Sequence, residues 1–364
     1  MEVVIKPKPL QFSLPLPPML GFITKIRNQL FDKQIFKSSE FDLPIINVGN
    51  LAVGGSGKTP HVEYLISLLN PEFKVATLSR GYGRNTRGFR EVNIQDLASE
   101  SGDEPLQIKK HFPDINVFVG EKRVEAVSKL LFEHPDIEVI LLDDAYQHRA
   151  IKAGLNILLT DYSKIFTVDK IMPAGRLREH PRGANRADIV IVTKCPLDVN
   201  EMEKTEIQNK ISHYTNAPVL FSGIKYHEEL IPVFANRKNI ESGMNIVLVS
   251  GIAKSLGLED YVKEKYQVGN FEHFNFRDHY HFKQRDLQNI EEKFNTFDEP
   301  KIILCTDKDA VRLAEVAEGN SFENLSLYRL PIEVQFLGND REIFDKKIID
   351  YVRQNKADFT IHSK

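Results

Sequence analysis

Leu43-Pro44-Ile45-Ile46-Asn47-Val48, followed closely by Ala52-Val53-Gly54-Gly55-Ser56-Gly57-Lys58-Thr59, decides how this 364-residue chain is read. The first run is apolar enough for a buried strand and ends at a glycine-rich turn. Beyond the turn, Val62, Leu65, Ile66 and Leu69 fall at i, i+3, i+4 and i+7, the buried face of a helix starting near Thr59. Strand, glycine loop and helix in that order form a Walker A element, here with alanine at the first glycine position. The glycines let backbone N–H groups turn inward around the β- and γ-phosphates of a nucleotide. Lys58 adds a point charge there, and the Thr59 hydroxyl suits Mg²⁺. Residues Ala52, Val53, Gly54, Gly55, Ser56, Gly57, Lys58 and Thr59 are thus the expected nucleotide cradle. A chance glycine turn with a surface lysine is the plainer alternative.

Outward from this loop, short apolar runs alternate with helical stripes. Strands are expected at Val75 to Leu78, Ile115 to Val119, Val139 to Leu142, Leu155 to Thr160 and Ile189 to Thr193, with a helix over Arg123 to Phe132. Continuous Val/Ile/Leu strands between helices indicate a mostly parallel sheet covered on both faces, the α/β class of P-loop NTPases. A second series, at 219–221, 246–249, 302–305 and 332–334 with a closing helix over Arg341 to Val352, reads as a smaller α/β domain. The polar segment Leu197 to Ser212 is the expected joint. The organisation predicted is an N-terminal amphipathic segment at 1–40, a P-loop core at 41–212 and a smaller domain at 213–364, without internal repeats.

With 41% hydrophobic and 27% charged residues the chain has enough apolar material for about two cores. A net charge of −3 gives no global basic field, so nucleic acid is not an expected partner. Cys195 and Cys305 lie far apart without C-x-x-C spacing, which argues for a reducing compartment and against a cysteine zinc site. Prolines and lysines interrupt the N-terminus before a signal-peptide core can form, and no stretch reaches the ~18 apolar residues of a membrane span. Met19, Ile23, Ile26 and Leu30 nevertheless form one helical stripe, widened by Phe22 and Phe31 and surrounded by Lys25, Arg27, Lys33 and Lys37. Residues 1–40 hold six Lys/Arg against three Asp/Glu, a net of +3. That asymmetry suits a helix lying on anionic lipid; a helix packed by its stripe onto the core is the other reading.

Val139-Ile140-Leu141-Leu142-Asp143-Asp144 reads as a Walker B strand whose carboxylates emerge where ligands bind in open α/β sheets. The alternative is that both acids cap the next helix. Loop and strand together imply hydrolysis or transfer of a nucleoside triphosphate. Thr193-Lys194-Cys195-Pro196 begins like the guanine-reading N/T-K-x-D motif but lacks its aspartate. A kinase also needs a group to orient or deprotonate an acceptor hydroxyl. Two motifs are candidates: Ser101-Gly102-Asp103-Glu104-Pro105, otherwise a helix N-terminus, and Phe276-Arg277-Asp278-His279-Tyr280-His281-Phe282, otherwise a surface turn or an H-x-H metal pair.

These blocks, taken with Gly49-Asn50-Leu51, Lys58-Thr59-Pro60, Ser79-Arg80-Gly81-Tyr82-Gly83, Asp143-Asp144-Ala145-Tyr146-Gln147-His148, Pro173-Ala174-Gly175-Arg176-Leu177-Arg178-Glu179 and Thr306-Asp307-Lys308-Asp309-Ala310, resemble the tetraacyldisaccharide 4′-kinase family. They occur in the family's order over roughly residues 20 to 315. The resemblance implies transfer of the ATP γ-phosphate to the 4′-hydroxyl of a tetraacyldisaccharide 1-phosphate, forming lipid IVA at the cytoplasmic face of a bacterial inner membrane. It implies that Asp103 and His279 form a base-like dyad and that Lys58 stabilises charge on the transferring phosphoryl group. By the same resemblance Thr59, Glu104, Asp144 and Gln147 hold Mg²⁺ with Asp143 beside them, and Arg80, Tyr82, Arg123 and Arg176 contact substrate, Arg123 being otherwise a surface ion-pair residue. The partners implied are the lipid-linked disaccharide and an anionic membrane, with no obligate protein partner. Departures are Ala145 where glycine is usual, Asp307 for glutamate, and an N-terminus without the hydrophobic span of some relatives, which implies peripheral attachment. A P-loop ATPase or GTPase coupling hydrolysis to conformational change, and a membrane-surface scaffold retaining a P-loop, are the competing readings.

Overall fold

The computed structural model describes residues 16–235, 240–252, 256–278 and 280–362, with side chains for 21–235, 240–252, 257–278 and 280–356. In chain order the first elements are α1 (Leu16–Asp32), β1 (Ile45–Asn50), α2 (Lys58–Leu69), β2 (Val75–Ser79), β3 (Arg90–Glu91), α3 (Ala98–Ser101) and α4 (Asp103–His111). They are followed by β4 (Asn116–Val119), α5 (Arg123–Glu133), β5 (Val139–Asp143), β6 (Leu155–Asp161), β7 (Ile189–Thr193), α6 (Glu201–Ser212), β8 (Val219–Tyr226) and β9 (Ile231–Pro232). The remainder comprises β10 (Asn245–Ser250), α7 (Leu256–Tyr266), β11 (Phe271–Asn275), α8 (Gln284–Asn295), β12 (Lys301–Thr306), α9 (Asp307–Ala317), β13 (Leu327–Leu330), β14 (Ile332–Phe336) and α10 (Asp340–His362).

Nine strands make one sheet in the order β14-β8-β7-β6-β1-β5-β2-β4-β3, parallel except where β3 and β14 join its edges. The strands predicted from their unbroken apolar runs are there, and β1, β2, β5 and β7 are buried along their whole length. Helices cover both faces. Val62, Leu65, Ile66 and Leu69 of α2 pack with Ile46 and Val48 on one side, while Ala126, Val127 and Leu130 of α5 pack with Ile45 and Ile140 on the other. A second sheet, β11-β10-β12-β13-β9, has its own core around Val247, Val249, Ile303 and Leu313.

The boundary expected at 212/213 does not coincide with the division between sheets. Strand β8 pairs in parallel with β7, β14 returns to pair antiparallel with β8, and Phe344, Ile348 and Val352 of α10 pack in the larger core. Only about residues 231–330 build the smaller unit, which is therefore an insertion into the P-loop body. Segment 197–212 looked like a linker because it is polar, but α6 buries just Ile207 and Ile211 and needs little apolar surface to dock.

Helix α1 forms where its stripe predicts, but with its polar side inward. Asn28 Nδ2 donates to Glu179 Oε2 at 2.6 Å, Arg149 donates to the Asn28 carbonyl at 2.9 Å and pairs with Asp32, and Gly21 lies against Ile171. Phe22 (61% exposed), Ile23 (53%) and Ile26 (40%) face outward, and Ile35 and Phe36 after the helix are exposed too. Of the stripe's described residues, Phe22, Ile23 and Ile26 lie off the core while Leu30 and Phe31 are half-buried.

Candidate active site

β1 lies in the middle of the larger sheet, between β5 and β6, so the loop that leaves it sits at the centre of the carboxyl edge. Gly54 (φ 105°) and Gly57 (φ 81°) take conformations that a Cβ strains, as a loop wrapping backbone N–H groups around an anion requires. The loop is braced from behind. Asn50 Nδ2 donates to Ser56 Oγ (2.8 Å), Thr193 Oγ1 to the Ser56 carbonyl (2.9 Å) and Lys194 Nζ to the Gly55 carbonyl (2.5 Å). His61, one turn into α2, is buried and donates from Nδ1 to the Gly57 carbonyl at 2.7 Å while its other nitrogen accepts from Ser222. Burial pushes this imidazole down to about 4, so it is neutral at pH 7.

Register places Val48 of β1 opposite Asp143 of β5, which brings the paired aspartates beside Lys58. Asp143 is fully buried, and that burial, with the negative charge of Glu104, raises its carboxyl to about 7 against the pull of Lys58. Burial also opposes ionisation of Asp144, but Lys58, at 3.8 Å, and Arg178 outweigh it and hold this carboxyl low. Asp144 has φ 50°, whereas Ala145 is buried without a positive φ. The left-handed residue of this turn is therefore Asp144, so alanine in place of the usual glycine at 145 carries no positive-φ strain; at 144 a short side chain that bonds locally tolerates the conformation.

The Asp103–Glu104 pair opens α4 just after Gly102, whose φ is 95° and where a Cβ would come within 3.1 Å of Gly81 Cα. Two glycines in contact thus bring the Arg80–Gly83 turn against the start of α4. A cleft of about 130 Å³ lies beside them, between the two units, lined by Tyr82, Asp103, His281, Phe282 and Arg312 among others. Asp278 comes to the same place: Lys308 Nζ of α9 is 3.8 Å from Asp278 Oδ1, 3.2 Å from Glu104 Oε1 and 3.8 Å from Asp103 Oδ2. His279 lies outside the described residues.

The predicted arginines divide. Arg123 is fully buried, which rules out a surface ion pair; it donates to the Gly120 carbonyl, and its Nε and Nη2 find no partner among the described residues. Burial lowers it to about 10, with Asp143 and Asp144 pulling the other way. Arg80 is exposed. Arg176 is held by Asp169, at 3.0 Å from Nε, and with Lys164 lines a pocket against the loop from Asn50 to Ser56. Gln147 faces Arg178, to which its Oε1 is acceptor at 3.2 Å, and donates to the Asn50 carbonyl and to Glu179.

Sequence reasoning passed over Arg178, whose guanidinium grips both oxygens of Asp144 at 3.0–3.1 Å, and over Lys308 and Arg312. Arg178 stood inside a quoted block beside Arg176 and could have been weighed with it. Nothing in the local pattern of α9 ties its cations to acids some 200 residues earlier.

A glycine loop on the central strand, a lysine and two aspartates beside it, and an acid pair across a cleft define a P-loop nucleotide-dependent enzyme of the α/β class. Residues 11–353 match the family model described as tetraacyldisaccharide-1-P 4′-kinase. The chain is 42% identical to the tetraacyldisaccharide 4′-kinase of Bacteroides thetaiotaomicron over 355 residues, covering 94% of this chain and 93% of the relative. It is 44% identical to that of Bacteroides fragilis strain YCH46 over 348 residues, covering 93% and 92%. A crystal structure of LpxK from Aquifex aeolicus in complex with ATP superposes with a TM-score of 0.72 at 28% identity, over 93% of this chain and 97% of that one. This chain belongs to the tetraacyldisaccharide-1-P 4′-kinase family.

Proposed function

We propose that the chain transfers the γ-phosphoryl group of ATP to the 4′-hydroxyl of a tetraacyldisaccharide 1-phosphate, giving lipid IVA in lipid A synthesis. The observation that carries this reading is that buried Asp143 lies in the field of both Lys58 of the glycine loop and Glu104 of the pair that opens α4, in a chain that matches its family over residues 11–353. Loop N–H groups and Lys58 hold the β- and γ-phosphates and stabilise the charge spread over the γ-oxygens during transfer. The buried, under-bonded Arg123 is suited to an anionic oxygen from the opposite side. Asp103, with His279, takes the proton of the acceptor hydroxyl, and Arg80, Tyr82 and Arg176 are assigned to substrate contacts.

The oxygen donors at this edge fit Mg²⁺. Among the described residues no three His, Cys, Asp or Glu side chains converge into a metal cage. Mg²⁺ on a nucleotide needs one or two carboxylates, a hydroxyl and water, and buried Asp143 Oδ1 has no hydrogen-bond partner among the described residues. Thr59, Asp144 and Glu104 would hold the ion; Gln147 would reach it after releasing Arg178. The ion would supply positive charge to offset the negative charge developing on the phosphate during transfer.

The exposed Phe22, Ile23 and Ile26, continued by Ile35 and Phe36 and accompanied by Lys25, Lys33 and Lys37, support peripheral attachment to an anionic bilayer, which we assign to the cytoplasmic face of the inner membrane. None of the described helices is long and apolar enough to cross a membrane. Family membership does not favour a P-loop hydrolase. The test is γ-labelled ATP with a tetraacyldisaccharide 1-phosphate: label is expected on the 4′-oxygen, and label released only as free phosphate, whether or not acceptor is present, returns the hydrolase reading.

A further inference from the structure

Arg312 belongs to the smaller unit, yet its guanidinium Nη2 donates to Asp103 Oδ2 of the P-loop body. Both residues are buried, at 7% and 6% exposed. An arginine and a carboxylate brought together out of water from different sheets cost several kcal/mol of desolvation each, which only a well-made pair offsets. This pair is well supported. Asp309, one turn before Arg312 on α9, lies 3.5 Å from its Nη1. Asp309 is in turn fixed by the Gly251 N–H at 2.8 Å and the Thr306 hydroxyl at 2.6 Å. Asp309 thus stands as a fixed counter-charge within ion-pair range of Arg312, which in turn donates to Asp103. Lys308, also one turn before Arg312, reaches Asp103, Glu104 and Asp278 from the same face of the helix.

A general base, or the group that orients one, must present one chosen oxygen to within hydrogen-bond reach of the proton it handles. A carboxylate at the start of a helix can still rotate about its side-chain bonds unless something holds one oxygen. From this geometry we infer that Arg312 is a positioning residue for phosphoryl transfer: by holding Asp103 Oδ2 it fixes the carboxylate in the orientation that serves the acceptor hydroxyl. Because the anchor comes from the smaller unit, Asp103 is correctly presented only when α9 is docked on α4. This inference rests on the proposed kinase reading and on the role given to Asp103.

The test compares wild type, Arg312→Ala, Arg312→Lys and Asp103→Asn in the label-transfer assay with ATP and tetraacyldisaccharide 1-phosphate. Arg312→Ala is expected to lose about 30-fold or more in kcat with KM for ATP changed less than about twofold, the pattern of an interaction needed in the transition state and not for nucleotide binding. Guanidinium at sub-denaturing concentration should restore part of the lost turnover, Arg312→Lys should keep more than the alanine variant, and Arg312→Ala should add little to Asp103→Asn. A purely structural tether would lower the melting temperature without rescue by guanidinium. If Arg312→Ala does not fold, Arg312→Lys and Arg312→Gln are read by the same kcat and KM split. Turnover within threefold of wild type in a folded variant, or a loss that guanidinium leaves untouched and that adds fully to Asp103→Asn, overturns the inference while leaving the kinase intact. A wild type that labels no disaccharide overturns the functional reading instead, and an active Asp103→Asn overturns the role of Asp103.

Discussion

The Lys58 ammonium, 3.8 Å from Asp144 and mostly buried, is the one side-chain cation that the glycine loop itself contributes to the phosphates. Losing a preorganised charge at a developing phosphoryl centre costs roughly 3–5 kcal/mol, a few hundred- to a few thousand-fold in rate. Lys58→Ala should therefore abolish most transfer while its circular dichroism and melting curve stay close to wild type. Retention of more than about a tenth of wild-type turnover would sink the assignment of the loop. Asp169 offers a residue-scale test of stability. Burial opposes its ionisation, but Lys164, Arg176 and the N–H groups of Lys170 and Arg176 outweigh this and hold the carboxyl at about 2. That is below the ~3.9 of an unfolded chain. The stabilisation is accordingly complete above about pH 4 and is lost as pH falls toward 2. After screening at the half-exposed Lys164, about 1–2 kcal/mol is expected. Urea melts should show Asp169→Asn less stable than wild type by that amount at pH 7, with the two curves converging near pH 2; a difference that persists unchanged at pH 2 would mean that charge is not its origin.

At the level of elements, α1 separates what a sequence can show from what it cannot. Its stripe and basic rim were legible because 3.6-residue periodicity is local, but whether the stripe turns in or out is decided by Asn28, Asp32 and Gly21, which dock on Glu179, Arg149 and Ile171. Ile23→Ser with Ile26→Ser removes exposed apolar surface and touches none of those contacts. It should shift the protein from anionic vesicles to the soluble fraction in a flotation assay without altering its melting temperature; a variant that melts early while still floating would show that the stripe is core after all. The same distinction runs through the rest of the chain. Strands β1, β2, β5, β6 and β7 were readable because a strand buried on both faces is an unbroken apolar run. Strand β11, Phe271–Asn275, was not, because its residues are half-buried and include Glu272 and His273. Helix α9 was not read either: its charged start, Asp307-Lys308-Asp309, looks like solvent-facing sequence, yet Asp309 is fully buried, held by the Gly251 N–H and the Thr306 hydroxyl within the smaller unit. The glycine loop and the acids of β5 could be found from their neighbours in sequence; the cations of α9 that reach Asp103 and Glu104 could not.

On the scale of the whole molecule, the insertion of the smaller unit between β8 and β14 means that both of its ends return to one edge of the larger sheet, and α9, which follows β12, packs against α4. Lys308 touching Asp103, Glu104 and Asp278 shows that the stretch carrying Asp278 reaches the start of α4. His279 is the next residue in the chain, and this contact supports its proposed pairing with Asp103. Two groups that handle one proton act as a unit, and removing either removes most of what both supply. His279→Ala and Asp103→Ala should each depress kcat strongly with ATP binding little changed, and the double variant should be scarcely worse than the weaker single one. Nucleotide titrations beside single-turnover label transfer measure both halves of that statement. If the two losses multiply as independent factors, or His279→Ala is nearly silent, the dyad is wrong and Asp103 works alone or through another imidazole. His148 is then the first to test, since burial and the neighbouring Arg123 and Arg80 lower it to about 4 and keep it neutral at pH 7. A neutral imidazole can accept a proton, but one flanked by two arginines is a poor base. His148→Ala should therefore cost less than His279→Ala, and the reverse order would move the proton path from the cleft between the units to the side of the sheet where Arg123 lies.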